Sequence, residues 1–430
     1  MKLKKGANIL SIIDQKSSLL LKRYQQIRAF SEQIVNPLEP EDYVIQSIPE
    51  VSPPKWHLSH TTWFFETFIL IPYYDFYECF NETYDYLFNS YYETHGKPYP
   101  RHKRGLLSRP SVKEIFQYRN YVDENMVSFL DQYKESIYQE IAPIMEIGLQ
   151  HEQQHQELLI TDIKYNFSIN PLNPVYHEKD EVSCSDLPDM EWNYIEEGIV
   201  ETGHSGEGFS FDNERPVHKS WLDAYSIANR PVTNVEYLNF IEDCGYQEPA
   251  YWLSEGWTKI KEEQWQAPLY WEKIDGIWYT FTLSGMEKVE MNEPVTHISF
   301  FEADAFARWS GNRLPTEAEW EHAMKQVTVK GNFADNKTFH PDGDYTSDNK
   351  MYKVFGDVWE WTSSPYTQYP RSKPLDGTLG EYNAKFMCNQ MVLRGGSCAT
   401  QSTHVRHTYR NFFHPDKRWQ YSGIRLARNE

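Results

Sequence analysis

Residues 137–166 read IYQEIAPIMEIGLQHEQQHQELLITDIKYN, and this stretch decides the fold of the first half of the chain. Its apolar residues recur at spacings of three and four, which is the periodicity of an amphipathic α-helix. Pro143 falls where such a helix could restart or kink, because proline has no amide hydrogen to donate. The same periodicity predicts helices over 8–36, 56–71 and 111–134. Four long helices joined by loops indicate an antiparallel bundle, whose interior is a natural place for a metal site.

Two histidines of this stretch, His151 and His155, stand at positions i and i+4. Such residues lie on one face of a helix, so both imidazoles can point at one ion. Gln154 shares that face and could reach a ligand bound to the metal. A second source of histidines is the segment WHLSH, in which either His57 or His60 could supply the third ligand. With no fourth protein ligand evident, the pattern indicates an open, catalytic site of a kind that suits redox iron.

Other interpretations of the histidine pair stay open. The run HEQQH also satisfies the HExxH pattern of zinc hydrolases, in which two histidines bind zinc and the glutamate, here Glu152, acts as general base. Such an enzyme needs a third ligand further along, and Glu157 and Asp162 are poorly phased for that role. An amphipathic helix that merely carries two histidines, or a non-catalytic ligand-binding protein stabilised by a metal, would also fit.

The second half of the chain has a different texture. Residues 168–194 are rich in proline, asparagine, serine and acidic residues, which predicts a linker. From residue 195 onward, short β-like runs, glycines, tryptophans and turn dipeptides dominate, with helices near 299–310 and 316–325. The predicted organisation is therefore a helical bundle over 1–167, the linker, and an irregular α+β domain over 195–430.

Composition excludes several classes of protein. With 430 residues, two or three domains are expected. A formal net charge of −20 argues against a nucleic-acid partner, because neutralising phosphates needs a basic face. No apolar run approaches the roughly 20 residues that span a bilayer, and the N-terminus MKLKKGANILSII lacks a convincing signal-peptide cleavage site. The five cysteines are odd in number and form no CxxC pair, which favours a reducing cytoplasm. The oligomeric state cannot be read from the sequence.

A segment with phenols and arginines lies between the predicted helices. Residues 88–110 read FNSYYETHGKPYPRHKRGLLSRP. Arg101 and Arg104 on a stiff loop suit the bidentate grip of a carboxylate. Tyr91 or Tyr92, if placed near a metal and oxygen, could deliver a proton or an electron. The alternative is a basic surface loop with ordinary aromatic packing.

Taken together, these segments and several stretches of the second half carry a specific likeness. The stretches are FDNERPVHKSWLDAYSIANRPVTNVEYLNFI (211–241), PVTHISFFEADAFARWSGNRLPTEAEWE (294–321), GDVWEWTSSPY (356–366), LRGGSC (393–398) and RNFFHPDKRWQYSGIRLAR (410–428). Over nearly its whole length the chain resembles the ergothioneine-biosynthesis sulfoxide synthases. That likeness implies a DinB-like four-helix bundle followed by a domain of the formylglycine-generating-enzyme and sulfatase-modifying type, a variant of the C-type lectin fold.

The resemblance also implies a site. It selects His60 over His57, so that Fe(II) would be held by His60, His151 and His155. Matched positions place Gln154, Asn411 and Phe412 around N-α-trimethylhistidine (hercynine). An aromatic residue suits a quaternary ammonium, which offers no hydrogen bonds and is held best by ring faces. The arginine pair would hold the carboxylate of cysteine.

Two departures concern the thiol substrate and the catalytic phenol. The branch of the family that takes γ-glutamylcysteine has an acidic residue where this chain has Phe413, whereas the pair Tyr91 and Tyr92 resembles the branch that uses free cysteine. A GDVWEWT segment followed by tyrosines, here Tyr366 and Tyr369, occurs in both branches. The expectation is free cysteine as donor, with Tyr91 and Tyr92 favoured over Tyr366 as catalytic residues.

The resemblance thus implies an oxygen-dependent enzyme that joins cysteine to hercynine through a carbon–sulfur bond and leaves a sulfoxide. Related enzymes that act on histidine, as in ovothiol synthesis, or on a selenium donor share this framework and stay open. Formylglycine generation is not expected, since it relies on paired cysteines and only Cys388 and Cys398 stand near the C-terminus, in different sequence contexts.

Overall fold

A computed structural model of the protein describes residues 3–132, 135–178, 185–346, 350–374, 378–381 and 383–430. The chain divides into two compact units, Met1–Asn166 and Phe167–Glu430. Residues 179–184 of the predicted linker, with Cys184, lie outside the described part of the chain. The fold is helical in the first unit and mixed α and β in the second, so the predicted fold class is confirmed.

All four predicted long helices of the first unit are present. The helices are α1 (Leu3–Val35), α2 (Pro54–Phe65), α3 (Ile71–Tyr73), α4 (Thr83–Phe88), α5 (Val112–Gln132) and α6 (Glu135–Ser168), with a π-helical turn over Glu66–Leu70 between α2 and α3. Pro143 lies inside α6 without ending it. The side chain of Arg28 on α1 reaches Thr62 of α2, Asp123 of α5 and Glu152 of α6, so the four long helices pack around one interior.

Helix α2 is the central element of this unit. It begins with Pro54, whose fixed φ and missing amide hydrogen suit the first turn of a helix. Every one of its twelve residues is buried, whereas a surface helix shows one polar face. Among them Trp63, Phe64 and Phe65 are at most 1% exposed. Burial on all sides holds α2 rigidly and places its polar side chains, including His57 and His60, in the interior.

The second unit is built from small sheets and short helices. Its strands are β1 (Trp192–Ile195), β2 (Gly198–Thr202), β3 (His218–Leu222), β4 (Tyr225–Ala228), β5 (Trp271–Ile274), β6 (Ile277–Thr282), β7 (Gly285–Lys288), β8 (Trp359–Pro365), β9 (Met391–Arg394), β10 (Asn411–Phe413), β11 (Ser422–Gly423) and β12 (Ala427–Asn429). They form sheets in the orders β1-β4-β12, β10-β9-β8-β11, β2-β3 and β5-β6-β7. In the second of these sheets Phe412 pairs with Val392 across antiparallel strands, and β11 runs parallel to β8.

The helices of the second unit were predicted only in part. The helices are α7 (Asn234–Glu242), α8 (Ser254–Glu263), α9 (Phe300–Trp309) and α10 (Glu317–Met324). The expectations near 299–310 and 316–325 are confirmed by α9 and α10, which begin at capping boxes on Ser299 and Thr316. Helices α7 and α8 were not predicted. A capping box on Thr233 marks the start of α7, whereas Leu253, which precedes α8, provides no side-chain cap.

Within the described residues, no helix combines the length and the apolar character needed to cross a lipid bilayer.

Candidate metal centre

Three histidines meet in the interior of the first unit. Helix α2 contributes His60, and successive turns of α6 contribute His151 and His155. One ring nitrogen from each of the three lies within 4.8 Å of the other two. His60 is fully buried, His151 is 2% exposed and His155 is 9% exposed, so the cluster is closed to bulk water on most sides.

The spacing of the ring nitrogens fits a shared ion. The Nε2 atoms of His60 and His151 are 3.1 Å apart. Two nitrogens that each bind one ion at about 2.1 Å are about 3 Å apart when the angle at the ion is near 90°. Adjacent positions of a facial triad have that angle, and a triad leaves further positions open. The residues present therefore fit a transition metal with room for substrates.

The imidazoles are in the protonation state that a metal needs. Burial lowers the pKa of His151 to about 3, in spite of the nearby Glu152 carboxylate. Burial, followed by the neighbouring histidines, holds the pKa of His60 and of His155 well below the ordinary value. All three rings are therefore neutral at physiological pH, and a neutral imidazole offers a lone pair to a metal.

The outer nitrogens of two ligands have defined partners. His60 Nδ1 donates to the backbone carbonyl of Phe88 over 2.6 Å, which leaves Nε2 bare for a metal. His155 Nδ1 lies 2.8 Å from Nδ1 of His57. The structure thereby separates the two histidines that the WHLSH segment offered: His60 belongs to the cluster, and His57 lies behind His155.

Glu152 stands between the two histidines in sequence but points elsewhere. Its carboxylate is fully buried, and it accepts from Arg28 over 2.9 Å, from Arg119 over 2.8 Å and from Ser31 over 2.6 Å. Burial alone would raise the pKa of Glu152, but Arg28 and Arg119 lower it to about 2. A carboxylate bound by two guanidinium groups cannot serve as the general base that the HExxH pattern requires.

Two tryptophan rings pack against His60, the histidine that α2 contributes. The ring of Trp56 stacks on His60 with centroids 4.7 Å apart, and the ring of Trp63 also lies nearly parallel to that of His60, at 5.7 Å. Neither tryptophan was predicted to belong to the site. Their positions, four before and three after His60, are the helical spacings that would have placed them beside it.

The two predicted arginines occupy different environments. Arg104 is 3% exposed, and its guanidinium lies 3.3 Å from the ring centroid of Trp56. It donates to the hydroxyl groups of Ser52 and Ser90 at 2.9 and 3.0 Å. Among the described residues no carboxylate pairs with it, and its Nε has no acceptor. Burial, followed by the charge of Arg101, holds the pKa of Arg104 well below its usual range. Arg101 itself is exposed, and its guanidinium donates to a backbone carbonyl.

The predicted tyrosine pair joins the same aromatic cluster. Tyr92 is fully buried, and its ring lies 5.8 Å from that of Trp63 and 5.4 Å from that of Phe68. The ring of Tyr91 packs on Tyr92 at 4.6 Å and is partly exposed. Gln154 is partly buried on α6, one position before His155.

The remaining predicted residues lie in the second unit and form a group of their own. The rings of Tyr366 and Phe412 stack at 4.0 Å, and Phe386 lies on Phe412 at 6.1 Å. The Tyr366 hydroxyl accepts from Asn213 Nδ2 over 2.8 Å, and burial raises the pKa of Tyr366 well above its ordinary value. Asn411 and Phe413 flank Phe412 on β10, and Asn411 Oδ1 accepts a hydrogen bond from the Phe412 amide. Phe413 packs edge-on against Trp419 at 5.6 Å.

Comparison with known proteins finds a domain family that matches the second half of the chain, and several similar proteins. Residues 184–352 and 347–430 match the sulfatase-modifying factor enzyme 1-like domain. The hercynine oxygenase of Mycolicibacterium smegmatis is 38% identical over 248 residues, which cover 51% of this chain and 56% of that protein. Ergothioneine biosynthesis protein 1 of Schizosaccharomyces pombe is 30% identical over 235 residues, covering 51% of this chain and 28% of that protein. The structure of PvdO from Pseudomonas aeruginosa aligns with a TM-score of 0.38 at 17% identity, over 56% of this chain and 94% of that one.

The chain spans about half the length of the curated hercynine oxygenases that it matches. Their names confirm the resemblance to the ergothioneine-biosynthesis sulfoxide synthases that the sequence analysis stated. The domain match covers more than half of the chain, and the chain therefore belongs to the family of the sulfatase-modifying factor enzyme 1-like domain.

Proposed function

We propose that the chain is an iron(II)- and oxygen-dependent sulfoxide synthase that joins the sulfur of cysteine to the imidazole of hercynine. The observation that carries the proposal is the buried cluster of His60, His151 and His155, in a chain whose named relatives are hercynine oxygenases. Within the described residues this is the one cluster of three or more potential ligands whose donor atoms lie close enough to share an ion. The absence of a fourth protein ligand in it supports a catalytic rather than a structural metal.

The three imidazoles would hold the metal. An iron(II) ion bound there would supply redox chemistry with oxygen and open positions for a thiolate and an imidazole. The protein's part is to bring both organic substrates to one place, which removes most of the entropic barrier to their reaction. The neutral, buried histidines support binding of a divalent cation, because no proton has to leave them first.

Arg104 is the residue best suited to the carboxylate of cysteine. It is a buried guanidinium that lacks a carboxylate partner among the described residues. It stacks on Trp56, which also stacks on His60. A substrate carboxylate would supply the missing charge through hydrogen bonds of the strong, charge-assisted kind. Arg101 is proposed as a second contact to the same carboxylate.

Hercynine carries a trimethylammonium group, which aromatic faces bind best. The proposal assigns this role to Phe412, with Asn411 and Gln154 as polar contacts to the rest of the molecule. Phe413 offers no carboxylate to the ammonium group of a longer dipeptide thiol, which supports free cysteine as the sulfur donor. A location in the cytoplasm is part of the proposal, because the cysteines of the described part of the chain, Cys79, Cys244, Cys388 and Cys398, are free thiols.

Tyr91 and Tyr92 are proposed as the groups that deliver a proton, or an electron with it, during sulfur oxidation. The contact between Tyr92 and Trp63 supports this role, because Trp63 lies beside the ligand His60. Tyr366 is the second choice, since its hydroxyl is already engaged by Asn213. Replacing each tyrosine by phenylalanine separates the choices: the donor's variant should lose most sulfoxide formation while still binding both substrates.

The decisive experiment is an aerobic turnover assay with iron-loaded protein. Cysteine, γ-glutamylcysteine and selenocysteine are each combined with hercynine or histidine, and products are identified by mass spectrometry. We expect a sulfoxide from cysteine and hercynine, with oxygen uptake that requires both. If neither thiol gave a sulfoxide with hercynine, the proposal would be wrong. A product from histidine or from selenocysteine alone would instead assign the ovothiol-type or selenium-type activity.

A zinc hydrolase is not supported, because Glu152 is bound by Arg28 and Arg119. A non-catalytic metal protein would bind the ion without consuming oxygen when both substrates are present.

A further inference from the structure

A hydrogen-bond chain of three buried groups, namely His57, Asp162 and the backbone amide of Ser52, extends from the metal cluster. His155 Nδ1 lies 2.8 Å from His57 Nδ1, and His57 Nε2 lies 3.1 Å from Asp162 Oδ2. The same carboxylate oxygen accepts from the backbone amide of Ser52 over 2.8 Å. His57, Asp162 and Ser52 are each at most 2% exposed, so water does not compete for these hydrogen bonds.

The carboxylate of Asp162 determines which group donates and which accepts in each of these hydrogen bonds. An ionised carboxylate can only accept, so His57 must carry its proton on Nε2 and donate it to Asp162. Nδ1 of the neutral His57 is then bare, and it accepts from Nδ1–H of His155. His155 is thereby left with a bare Nε2, the atom that faces a metal when Nδ1 is the donor.

These hydrogen bonds also connect the two helices that carry the metal ligands. His57 lies on α2 three positions before His60, and Asp162 lies on α6 seven positions, or about two turns, after His155. The contact of His57 with both His155 and Asp162 therefore ties α2 to α6 at the metal cluster. A shift of either helix along its axis would break a hydrogen bond of the chain.

We propose that His57 and Asp162 are positioning residues of the metal centre, which fix the tautomer and the ring orientation of His155. This inference rests on the proposed metal centre, but it concerns residues to which the family resemblance assigned no role. His57, which the sequence analysis offered as an alternative ligand, acts through His155 instead of binding the metal. Partners of this kind change metal affinity by about 10- to 100-fold when they are removed.

The test measures metal binding by the full-length, metal-free protein under anaerobic conditions, without reference to turnover. Co(II) is titrated in competition with a chromophoric chelator, and its visible absorption bands report the ligand field. We expect His57→Phe to weaken Co(II) binding by roughly 10- to 100-fold and to shift these bands. Asp162→Asn keeps an oxygen acceptor for His57 but loses the charge, so its effect should lie near the lower end of that range. The double variant should bind Co(II) no more weakly than His57→Phe alone, because the loss of His57 already removes the contribution of Asp162.

His404→Phe is the matched control. His404 is a histidine of the second unit, it is 1% exposed, and its ring pairs with Tyr409 over 3.0 Å. This variant makes the same substitution at the same depth, and it should leave Co(II) affinity and spectrum unchanged. If folded His57→Phe and Asp162→Asn both kept the wild-type Co(II) affinity and spectrum, the inference would be wrong, whereas the proposed metal centre would stand. If the wild-type protein bound Co(II) no better than a His60→Ala variant, the proposed metal centre itself would be wrong, and the inference with it.

Discussion

At the scale of single residues, Arg104 places a guanidinium group in the interior, and among the described residues no carboxylate forms an ion pair with it. Its two hydroxyl partners and the face of Trp56 solvate the guanidinium only in part. A buried charge without a carboxylate lowers the stability of a protein unless a ligand supplies the counter-charge. Glu152 illustrates the opposite arrangement, because two guanidinium groups share one carboxylate in the same unit.

Replacing Arg104 by methionine should therefore affect substrate binding more than folding. Hydrogen bonds to a charged group contribute about 1.5–3 kcal/mol, which corresponds to a rise of roughly 10- to 100-fold in the KM for cysteine. Steady-state kinetics at saturating hercynine measures this effect. The melting temperature should not fall, since an uncompensated charge leaves the interior. Arg104→Lys keeps the charge but not the planar guanidinium group that can donate two parallel hydrogen bonds, and it should restore only part of the affinity for cysteine. An unchanged KM in both variants would remove Arg104 from the cysteine site.

Replacing Glu152 by glutamine should affect folding. Because the pKa of Glu152 is about 2 in the folded protein against an ordinary 4.5, its ionised form contributes stability above pH 4.5 that is lost as the pH falls towards 2. We expect Glu152→Gln to lower the free energy of unfolding at neutral pH by roughly 3 kcal/mol and to flatten its decline in that acid range. Urea unfolding at a series of pH values measures both. Glu140→Gln, on an exposed position of the same helix, is the control.

At the scale of elements, the metal cluster depends on how closely α2 and α6 approach each other. Gly148 of α6 lies three positions before His151 and faces the rings of Phe64 and Phe65. A Cβ at this glycine would come within 2.7 Å of a carbon in each ring. Glycine is thus required here for close packing of two helices, although it lowers helix propensity by about 1 kcal/mol relative to alanine.

The Gly148→Ala variant should accordingly be less stable in spite of its better helix propensity. Overpacking of this kind costs about 1–3 kcal/mol, and the forced separation of α2 from α6 should also weaken Co(II) binding. Thermal unfolding and the Co(II) titration check the two expectations. Gly96→Ala has no atom within 4 Å of the added carbon and should change neither. Higher stability of Gly148→Ala would show that the rings move aside easily.

At the scale of the whole molecule, the chain divides into a helical unit that contains the histidine cluster and a second unit that contains the aromatic group around Tyr366 and Phe412. A metal that binds the folded chain and not the unfolded chain stabilises it through mass action. Binding of the proposed metal should therefore stabilise the folded chain even when no substrate is present.

Addition of Co(II) at 100 times its dissociation constant should stabilise the folded chain by about 2.7 kcal/mol. Anaerobic calorimetry should show this as a rise in the unfolding temperature of the metal-binding transition, and a chelator should reverse it. His60→Ala should abolish the rise, while His404→Phe should preserve it. A rise of equal size in His60→Ala would place the bound ion elsewhere.

Much of the architecture follows from local sequence pattern. The periodicity of apolar residues predicts the four long helices of the first unit, but it misses the shorter helices α3, α4, α7 and α8. The i, i+4 spacing of His151 and His155 is equally local, because a single helix determines which of its residues share a face. The sequence by itself thus determined the long helices and two of the three histidines, and the family resemblance selected the third.

Only the tertiary structure decided which groups those histidines meet. Whether His57 or His60 reaches a histidine about 90 residues further along the chain depends on how α2 packs against α6, and so does the direction of Glu152. The different environments of Arg101 and Arg104, three residues apart, likewise depend on what surrounds their loop. Hydrogen bonds and ion pairs between distant segments form only where packing brings their atoms within about 3 Å, and one helix's periodicity carries no information on the position of the next.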